Sequence, residues 1–204
     1  MIYYLCVLDF EATCWKDSSN KEKMEIIEFP SVLYKIDEKN KSAEFVSEFS
    51  KYVRPTIVPI LTEFCTELTG IQQNSVDTAD TIDIVYKQHR QWISEYVQPN
   101  DKFIIATCGA WDLFTQLPRE IKNKSLQKNA YYNKFINVKS EFEYFYNKKS
   151  GGMANMLTKL NLPLIGRHHS GIDDTRNIAA IMLKMIKDGH LYKNYIIKNI
   201  LEKN

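Results

Sequence analysis

Two acidic side chains follow the first apolar segment of the chain, within "YYLCVLDFEATC" (residues 3–14). Because side chains alternate across a strand, Asp9 and Glu11 are expected on the same face. Two carboxylates close together at the end of a buried strand raise each other's pKa or require a cation, and a divalent ion with oxygen ligands meets that need. Alternatively, the strand exits into solvent at Asp9 and both acids are hydrated. This stretch alone leaves both interpretations open.

A third acid, Asp112, follows the buried run "FIIATC" (residues 103–108) after a short turn. Taken alone, an Asp in this position is best explained as the N-cap of a helix. It also lies just beyond the end of a predicted strand, where α/β sheets usually place their sites. Asp112 is therefore a candidate metal ligand if other acids come close to it.

The segment "RHHSGIDDTRNIAAIMLKMI" (residues 167–186) carries two adjacent histidines and two adjacent aspartates. The separation of His168 from Asp173 equals that of His169 from Asp174, so spacing leaves the pairing open. Helical periodicity separates the two acids, because Asp174 shares a face with apolar residues and Asp173 shares one with mostly polar residues. The first face continues through Ile178, Ile181, Met182 and Met185, and the second through Asn177, Ala180 and Lys184. Asp174 should point toward the sheet and Asp173 toward solvent.

A histidine one short turn from an inward-pointing acid is a candidate for proton transfer, because its ordinary pKa is about 6.5. A lone surface histidine usually has no such role. The helical face favours His169, the partner of Asp174, over His168.

The elements that must position these residues are predicted from hydrophobic patterning. Tyr3–Ala12 is apolar on both faces and predicts a central strand. Residues 24–36 and 43–55 predict two more strands in a meander, with Pro30 indicating a bulge or an edge. A short helix over residues 62–70 should end at Gly70.

The second half of the chain predicts helices that alternate with strands. An amphipathic helix, with Ile84 on its apolar side, covers residues 78–97 and precedes a buried strand within residues 101–112. A strand and a helix over 135–147 and further helices over 151–163 and 173–189 follow. Consecutive strands in the first part of the chain, followed by strands that alternate with helices, imply an α/β fold with a mixed sheet. We expect one domain over residues 1–190 and a helical tail over residues 191–204.

Composition favours one globular domain, since 44% of the 204 residues are hydrophobic. No apolar run reaches the roughly 20 residues that span a bilayer, and Met1 leads into a strand-like stretch rather than a secretory leader. We expect an intracellular protein, cytoplasmic or nuclear, without a membrane partner. The cysteines (Cys6, Cys14, Cys65 and Cys108) form no C-x-x-C pair, which favours reduced, buried thiols.

The net charge of +2 hides an asymmetry along the chain. Residues 1–120 carry 12 basic and 19 acidic side chains, whereas residues 121–204 carry 15 and 6. This asymmetry fits an acidic metal pocket beside a basic substrate face, although solvated lysine-rich helices give the same count.

The sequence resembles the DEDDh (DnaQ-like) group of 3'-5' exonucleases. The residues that support this resemblance are Asp9, Glu11, Asp112, His169 and Asp174. The motifs are "DFEATC" (residues 9–14), "AWD" (110–112) and "HSGIDD" (169–174). The blocks "EIIEFPSVL", "YVRPTIVPILTEFCTELTGI" and "VDTADT" are similar to the Eri-like, or histone-mRNA 3'-exonuclease, branch. The resemblance runs from residue 5 to about residue 185 and implies a ribonuclease-H-like mixed sheet flanked by helices.

The resemblance implies a role for each matched position. Asp9, Glu11, Asp112 and Asp174 would be ligands of two Mg²⁺ ions, for which Mn²⁺ could substitute. Glu11 and His169 would be catalytic, with His169 as the general base and a contact of the substrate. The implied activity is removal of nucleoside 5'-monophosphates from RNA with single-stranded 3' ends or short overhangs, by a two-metal-ion mechanism.

The residues that follow Glu11 and Asp112 touch the terminal nucleotide in the enzymes that the chain resembles. Here these residues are Ala12 and Leu113, and core packing is the alternative role for both. The sequence departs from the branch around the base, where His168 and Ser170 replace the usual Pro and Cys. Two other functions stay open: a DNA 3'-5' exonuclease and a catalytically inactive RNA-binding domain.

Overall fold

The computed structural model describes residues 1–17, 20–193 and 196–197. A mixed sheet of seven strands runs through this part of the chain. The strands are β1 (Ile2–Leu8), β2 (Glu11–Ala12), β3 (Ile26–Asp37), β4 (Ser42–Tyr52), β5 (Phe103–Thr107), β6 (Lys134–Asn137) and β7 (Ile196–Ile197). β3 pairs antiparallel with β1, β2 and β4, while β5 and β6 extend the sheet in parallel with β1. β7 closes the far side, antiparallel to β6.

Helices cover both faces of the sheet. They are α1 (Glu63–Thr69), α2 (Gln73–Asp77), α3 (Ile82–Tyr96), a π-helix (Trp111–Gln116), α4 (Leu117–Asn123), α5 (Val138–Tyr146), α6 (Met153–Lys159) and α7 (Gly171–Asp188). Short 3₁₀ turns lie at Lys21–Lys23 and Ala130–Tyr132. This arrangement confirms the predicted α/β class with a mixed sheet flanked by helices.

The alternation of β1 divides the core into two layers. Cys6 and Leu8 pack on the face that α3 and α4 cover, whereas Leu5 and Val7 pack on the face of α5, α6 and α7. Every one of these side chains is fully buried. By the same alternation, the Asp9 side chain lies on the face of the sheet that α7 covers. The fold therefore directs this acid toward the helix that carries Asp174.

The predicted strand Tyr3–Ala12 is interrupted at residues 9 and 10. β1 ends with Leu8 opposite Ser31, and β2 resumes with Glu11 opposite Glu28, so the register across the gap is unchanged. The residue of β3 opposite Asp9 is therefore Pro30, which has no N–H for a ladder hydrogen bond. β3 is not an edge strand, because it pairs with β4 on one side and with β1 and β2 on the other, but Pro30 lies opposite the gap and has a ladder partner only on the β4 side.

The predicted helices are present, with one correction to the buried face of α3. α1 ends at Gly70 as expected, in the left-handed conformation with φ of 77°. In α3 the buried face is formed by Ile82, Val85, Tyr86, His89, Trp92 and Ile93, whereas Ile84 is exposed. No helix in the described part of the chain has the length and apolar character needed to cross a membrane.

The predicted helical tail, residues 191–204, begins inside the domain. Tyr192 is buried, and its hydroxyl donates a hydrogen bond to the Met182 carbonyl on α7. Ile196–Ile197 pair with β6 as a strand, so the helical prediction is wrong for these two residues. Residues 194–195 and 198–204 lie outside the described residues. The packed domain extends beyond residue 190.

Candidate active site

The first three acids meet at one end of the sheet because β1 and β5 are parallel. Asp9 lies in the gap after β1, Glu11 lies in β2, and Asp112 is the second residue of the π-helix that follows β5. The backbone N–H of Phe10 donates a 2.9 Å hydrogen bond to Oδ1 of Asp112. This bond uses the N–H that the interrupted strand leaves free and fixes Asp112 beside Asp9.

Asp174 completes the acid cluster from α7, which covers the face of the sheet toward which Asp9 points. It lies in the first turn of α7, is 4% exposed, and accepts a 2.9 Å hydrogen bond at Oδ2 from the backbone N–H of His169. Its buried Oδ1 has no hydrogen-bond partner among the described residues. A buried carboxylate oxygen without a partner is costly unless a ligand satisfies it.

Burial disfavours the charged form of each acid, and repulsion from neighbouring acids adds to this effect at Asp9 and Glu11. Burial, reinforced by Asp112, Glu11 and Asp174, raises the pKa of Asp9 well above its ordinary value. Burial, followed by the neighbouring charge of Glu28, raises the pKa of Glu11 to about 9. Burial also raises the pKa of Asp112 to about 6 and raises that of Asp174.

Divalent cations fit this cluster on both chemical and structural grounds. Four carboxylates converge where burial disfavours their charge, and one buried oxygen lacks a hydrogen-bond partner. Hard divalent ions prefer carboxylate oxygens and offset such repulsion. The Lys139 ammonium group also lowers the pKa of Asp9, but its effect is smaller than those of burial and the acids.

Both histidines reach Asp174. Their rings stack with centroids 4.0 Å apart, and Nε2 of His168 lies 4.0 Å from Oδ2 of Asp174. His169 adopts a left-handed backbone with φ of 66°, which turns the loop into α7. Burial, followed by the charge of His168, lowers the pKa of His169 and favours its neutral form. The choice of His169 as the base stays a prediction, because the structure brings both rings to the acid.

The inward face predicted for α7 is observed, since Asp174 and the four apolar residues after it on that face are buried. The outward face differs from the expectation. Asp173 is only partly exposed and accepts a hydrogen bond from the Arg167 backbone N–H, and Asn177 is buried with its amide bonded to the backbone of Ile165. The loop before α7 folds over this side of the helix and removes it from solvent.

Glu28 is a positioning residue that sequence reasoning missed. It is buried on β3 and accepts hydrogen bonds from the backbone N–H groups of Gly171 and Ile172, at the first turn of α7. A Cβ at Gly171 would lie 2.9 Å from Oε2 of Glu28, so the glycine permits this close approach. The sequence feature that could have identified Glu28 is the presence of an acidic residue within the apolar run "EIIEFPSVL".

The two predicted nucleotide contacts are both buried. Leu113, within the π-helix, has no exposed surface and packs into the core, which supports the alternative of core packing and leaves its side chain no surface for a nucleotide. Ala12 is 6% exposed, and its carbonyl accepts a hydrogen bond from the Cys65 thiol. Its proximity to Glu11 keeps Ala12 beside the acid cluster.

Comparison with known proteins identifies the family to which the chain belongs. The family model described as "Exonuclease" matches residues 6–182, which contain all four acids and both histidines. The chain belongs to the exonuclease family. The predicted resemblance to DEDDh exonucleases is confirmed, and this family generally depends on divalent metal ions.

Relatives of this exonuclease domain match it over most of its length. ERI1 exoribonuclease 2 of Mus musculus is 38% identical over 206 residues, which cover 93% of this chain and 29% of the relative. The 3'-5' exonuclease Snipper of Drosophila melanogaster is 33% identical over 204 residues, which cover 93% of this chain and 71% of Snipper. The chain thus spans less than a third of the length of ERI1 exoribonuclease 2.

A solved structure shares both fold and sequence with the exonuclease domain. The nuclease domain of 3'hExo, a DEDDh family member, bound to rAMP superimposes with a TM-score of 0.84 at 36% identity. The match covers 91% of this chain and 92% of that one. These values confirm the expected ribonuclease-H-like fold.

Replacing Glu28 with Ala should destabilise the domain more than replacing Glu48. Both side chains contact α7, but Glu28 is buried against two backbone N–H groups, whereas Glu48 pairs with Arg176 at the surface. Unsatisfied buried donors cost about 1–3 kcal/mol each, and a surface ion pair contributes about 0–1 kcal/mol. Urea unfolding measures both variants, and equal losses would contradict this role of Glu28.

Replacing Asp9 with Asn should stabilise the metal-free domain and abolish its response to divalent ions. The neutral amide removes one charge from the repelling cluster and also one ligand. In EDTA the Tm of Asp9→Asn should therefore exceed that of the wild type, while Mn²⁺ should raise only the wild-type Tm. Asp101→Asn, at an exposed turn, is the matched control and should keep the metal response. A metal-dependent rise in the Tm of Asp9→Asn would contradict the ligand assignment.

Proposed function

We propose that this domain is a divalent-metal-dependent 3'-5' exoribonuclease. It shortens RNA from single-stranded 3' ends or short overhangs and releases nucleoside 5'-monophosphates. The observation that carries the proposal is the cluster of four acids, of which Asp112 and Asp174 are buried and the other two partly buried. Asp174 has an unsatisfied oxygen, and two histidines lie beside it. Membership of the exonuclease family supports the reaction class.

RNA is favoured as the polymer by the proteins that this chain resembles. ERI1 exoribonuclease 2 is named for RNA, and the 3'hExo nuclease domain was solved with rAMP, a ribonucleotide. Snipper is named for 3'-5' polarity without a stated polymer. A DNA exonuclease would use the same acids, because only contacts with the 2'-hydroxyl distinguish the two polymers.

Asp9, Glu11, Asp112 and Asp174 would hold two Mg²⁺ ions, with Mn²⁺ as a substitute. When bound, the ions supply an activated water and stabilise negative charge on the phosphate and on the departing 3'-oxygen. Glu11 lies on β2, next to the small Ala12, where the last nucleotide can approach the backbone. The Phe10 N–H holds Asp112 in place through its hydrogen bond to Oδ1.

His169 accepts the proton of the attacking water at a ring nitrogen. Its lowered pKa keeps the imidazole neutral near pH 7, as a general base requires. The hydrogen bond from its backbone N–H to Asp174 holds the residue beside the acid cluster. His168 stacks on the His169 ring and limits its rotation.

A time course with 5'-labelled RNA tests polarity, polymer and metal dependence together. We expect progressive shortening from the 3' end with Mg²⁺ or Mn²⁺, no shortening with EDTA, and slower digestion of a DNA of the same sequence. Faster loss of DNA would overturn the RNA preference. RNA that is bound but left intact with both metals would instead support an inactive RNA-binding domain.

His169→Ala should reduce kcat far more than His168→Ala. Loss of a general base lowers the rate by about 10²–10⁴-fold, whereas loss of the stacked neighbour should cost less than about tenfold. Asp9→Ala and Asp174→Ala should abolish turnover. Single-turnover digestion gives the rates, and the Mn²⁺-dependent Tm shift verifies that each histidine variant still binds metal. The reverse ranking would make His168 the base.

A further inference from the structure

Two cysteines lie side by side behind the strand that carries Glu11. Cys14 follows β2 and Cys65 lies in α1, and the Thr62 side chain joins their backbones. Its hydroxyl donates a 2.7 Å hydrogen bond to the Cys14 carbonyl and accepts a 3.0 Å bond from the Cys65 N–H. The Cys65 thiol donates to the carbonyl of Ala12 at 3.7 Å.

A small apolar cluster encloses this pair from one side. Cys65 is fully buried within the cluster, and Cys14, which is partly exposed, packs against it. The other buried members are Ile27, Leu61, Ile71 and Val76. Packing and three hydrogen bonds therefore hold together two cysteines from distant parts of the chain, one of which is partly exposed.

The two thiols also interact directly. A hydrogen bond donated by the Cys14 thiol lowers the pKa of Cys65 to about 7 and raises that of Cys14. Burial instead raises the pKa of Cys6 and of Cys108 to about 12. Because the thiolate is the reactive form, this pair is the reactive one among the four cysteines.

We propose that Cys14 and Cys65 form a reversible disulfide with peroxides, and that this disulfide lowers the turnover of the domain. The effect on turnover rests on the proposed function, whereas formation of the disulfide does not. The site assigned is thus a redox modification site adjacent to the acid cluster.

The oxidation balances with one peroxide per disulfide. The Cys65 thiolate, which is the more readily deprotonated member of the pair, attacks hydrogen peroxide to give a sulfenic acid and hydroxide. Hydroxide removes the proton from Cys14 to form water. The Cys14 sulfur then attacks the Cys65 sulfur, the S–O bond breaks, and the departing hydroxide takes a proton from solvent. Two thiols and one peroxide thus yield one disulfide and two waters.

The disulfide would act on Glu11 through β2. A bond of about 2.05 Å is far shorter than any contact between two thiols, so the segment after β2 must move toward α1. The Cys65 thiol also loses the proton that it donates to Ala12. β2 is short and its pairing with β3 already shifts register between Glu11 and Ala12, so it has few bonds that resist displacement.

Oxidation of the purified chain with stoichiometric hydrogen peroxide tests the proposal. Intact mass should fall by two hydrogen atoms, peptide mapping should link Cys14 to Cys65, and dithiothreitol should reverse both changes. Cys65→Ser and Cys14→Ser should each prevent the link, while Cys108→Ser should retain it. If Cys65→Ser does not fold, the partly exposed Cys14→Ser carries the test alone. Absence of the link, or overoxidation of Cys14 alone, would overturn the proposal.

Turnover on labelled RNA separates this proposal from the proposed function. The oxidised wild type should lose activity at least fivefold and regain it with dithiothreitol, whereas oxidised Cys14→Ser should keep its activity. A disulfide that forms without changing turnover would overturn the regulatory effect. A reduced protein without any nuclease activity would overturn the proposed function, while the mapped disulfide would still establish the modification site.

Discussion

The fold must accommodate four carboxylates that lie close together, two of them buried and two partly buried. Burial raises the pKa of each acid, and the charges of neighbouring acids raise the pKa of Asp9 and of Glu11 further. The surrounding core must therefore be stable enough to tolerate the cluster in the absence of metal. It consists of two apolar layers packed on the faces of a seven-stranded sheet, with most side chains of β1 fully buried.

Backbone hydrogen bonds, more than cations, position the acids. Asp112 accepts from Phe10 N–H, Asp174 from His169 N–H, and Glu28 from the first turn of α7. Lysine and arginine side chains make few contacts with the cluster, Lys139 being a weak exception. This arrangement holds the oxygens in place while leaving their charge available to a metal ion.

The sequence predicted the residues of the site better than their surroundings. Alternation in "VLDFEA" and periodicity in α7 depend on local geometry, so Asp9, Glu11 and Asp174 could be assigned to faces in advance. The hydrogen-bond partner of Asp112 could not be predicted, because the bond from the Phe10 N–H joins residues 102 positions apart. The positioning role of Glu28 likewise depends on contacts between distant segments. The same holds for the burial of Leu113 and of Asn177. The functional roles of Asp9, Glu11, Asp112, His169 and Asp174 remain predictions.

Pro30 has a consequence for how the site forms. A continuous strand through residues 9 and 10 would place Asp9 in the ladder opposite Pro30, which cannot donate the hydrogen bond that such pairing needs. The straightened arrangement is thereby disfavoured during folding as well as in the native state. Asp9 is consequently held out of the ladder in advance, and its carboxylate reaches the other acids without any rearrangement of the strand.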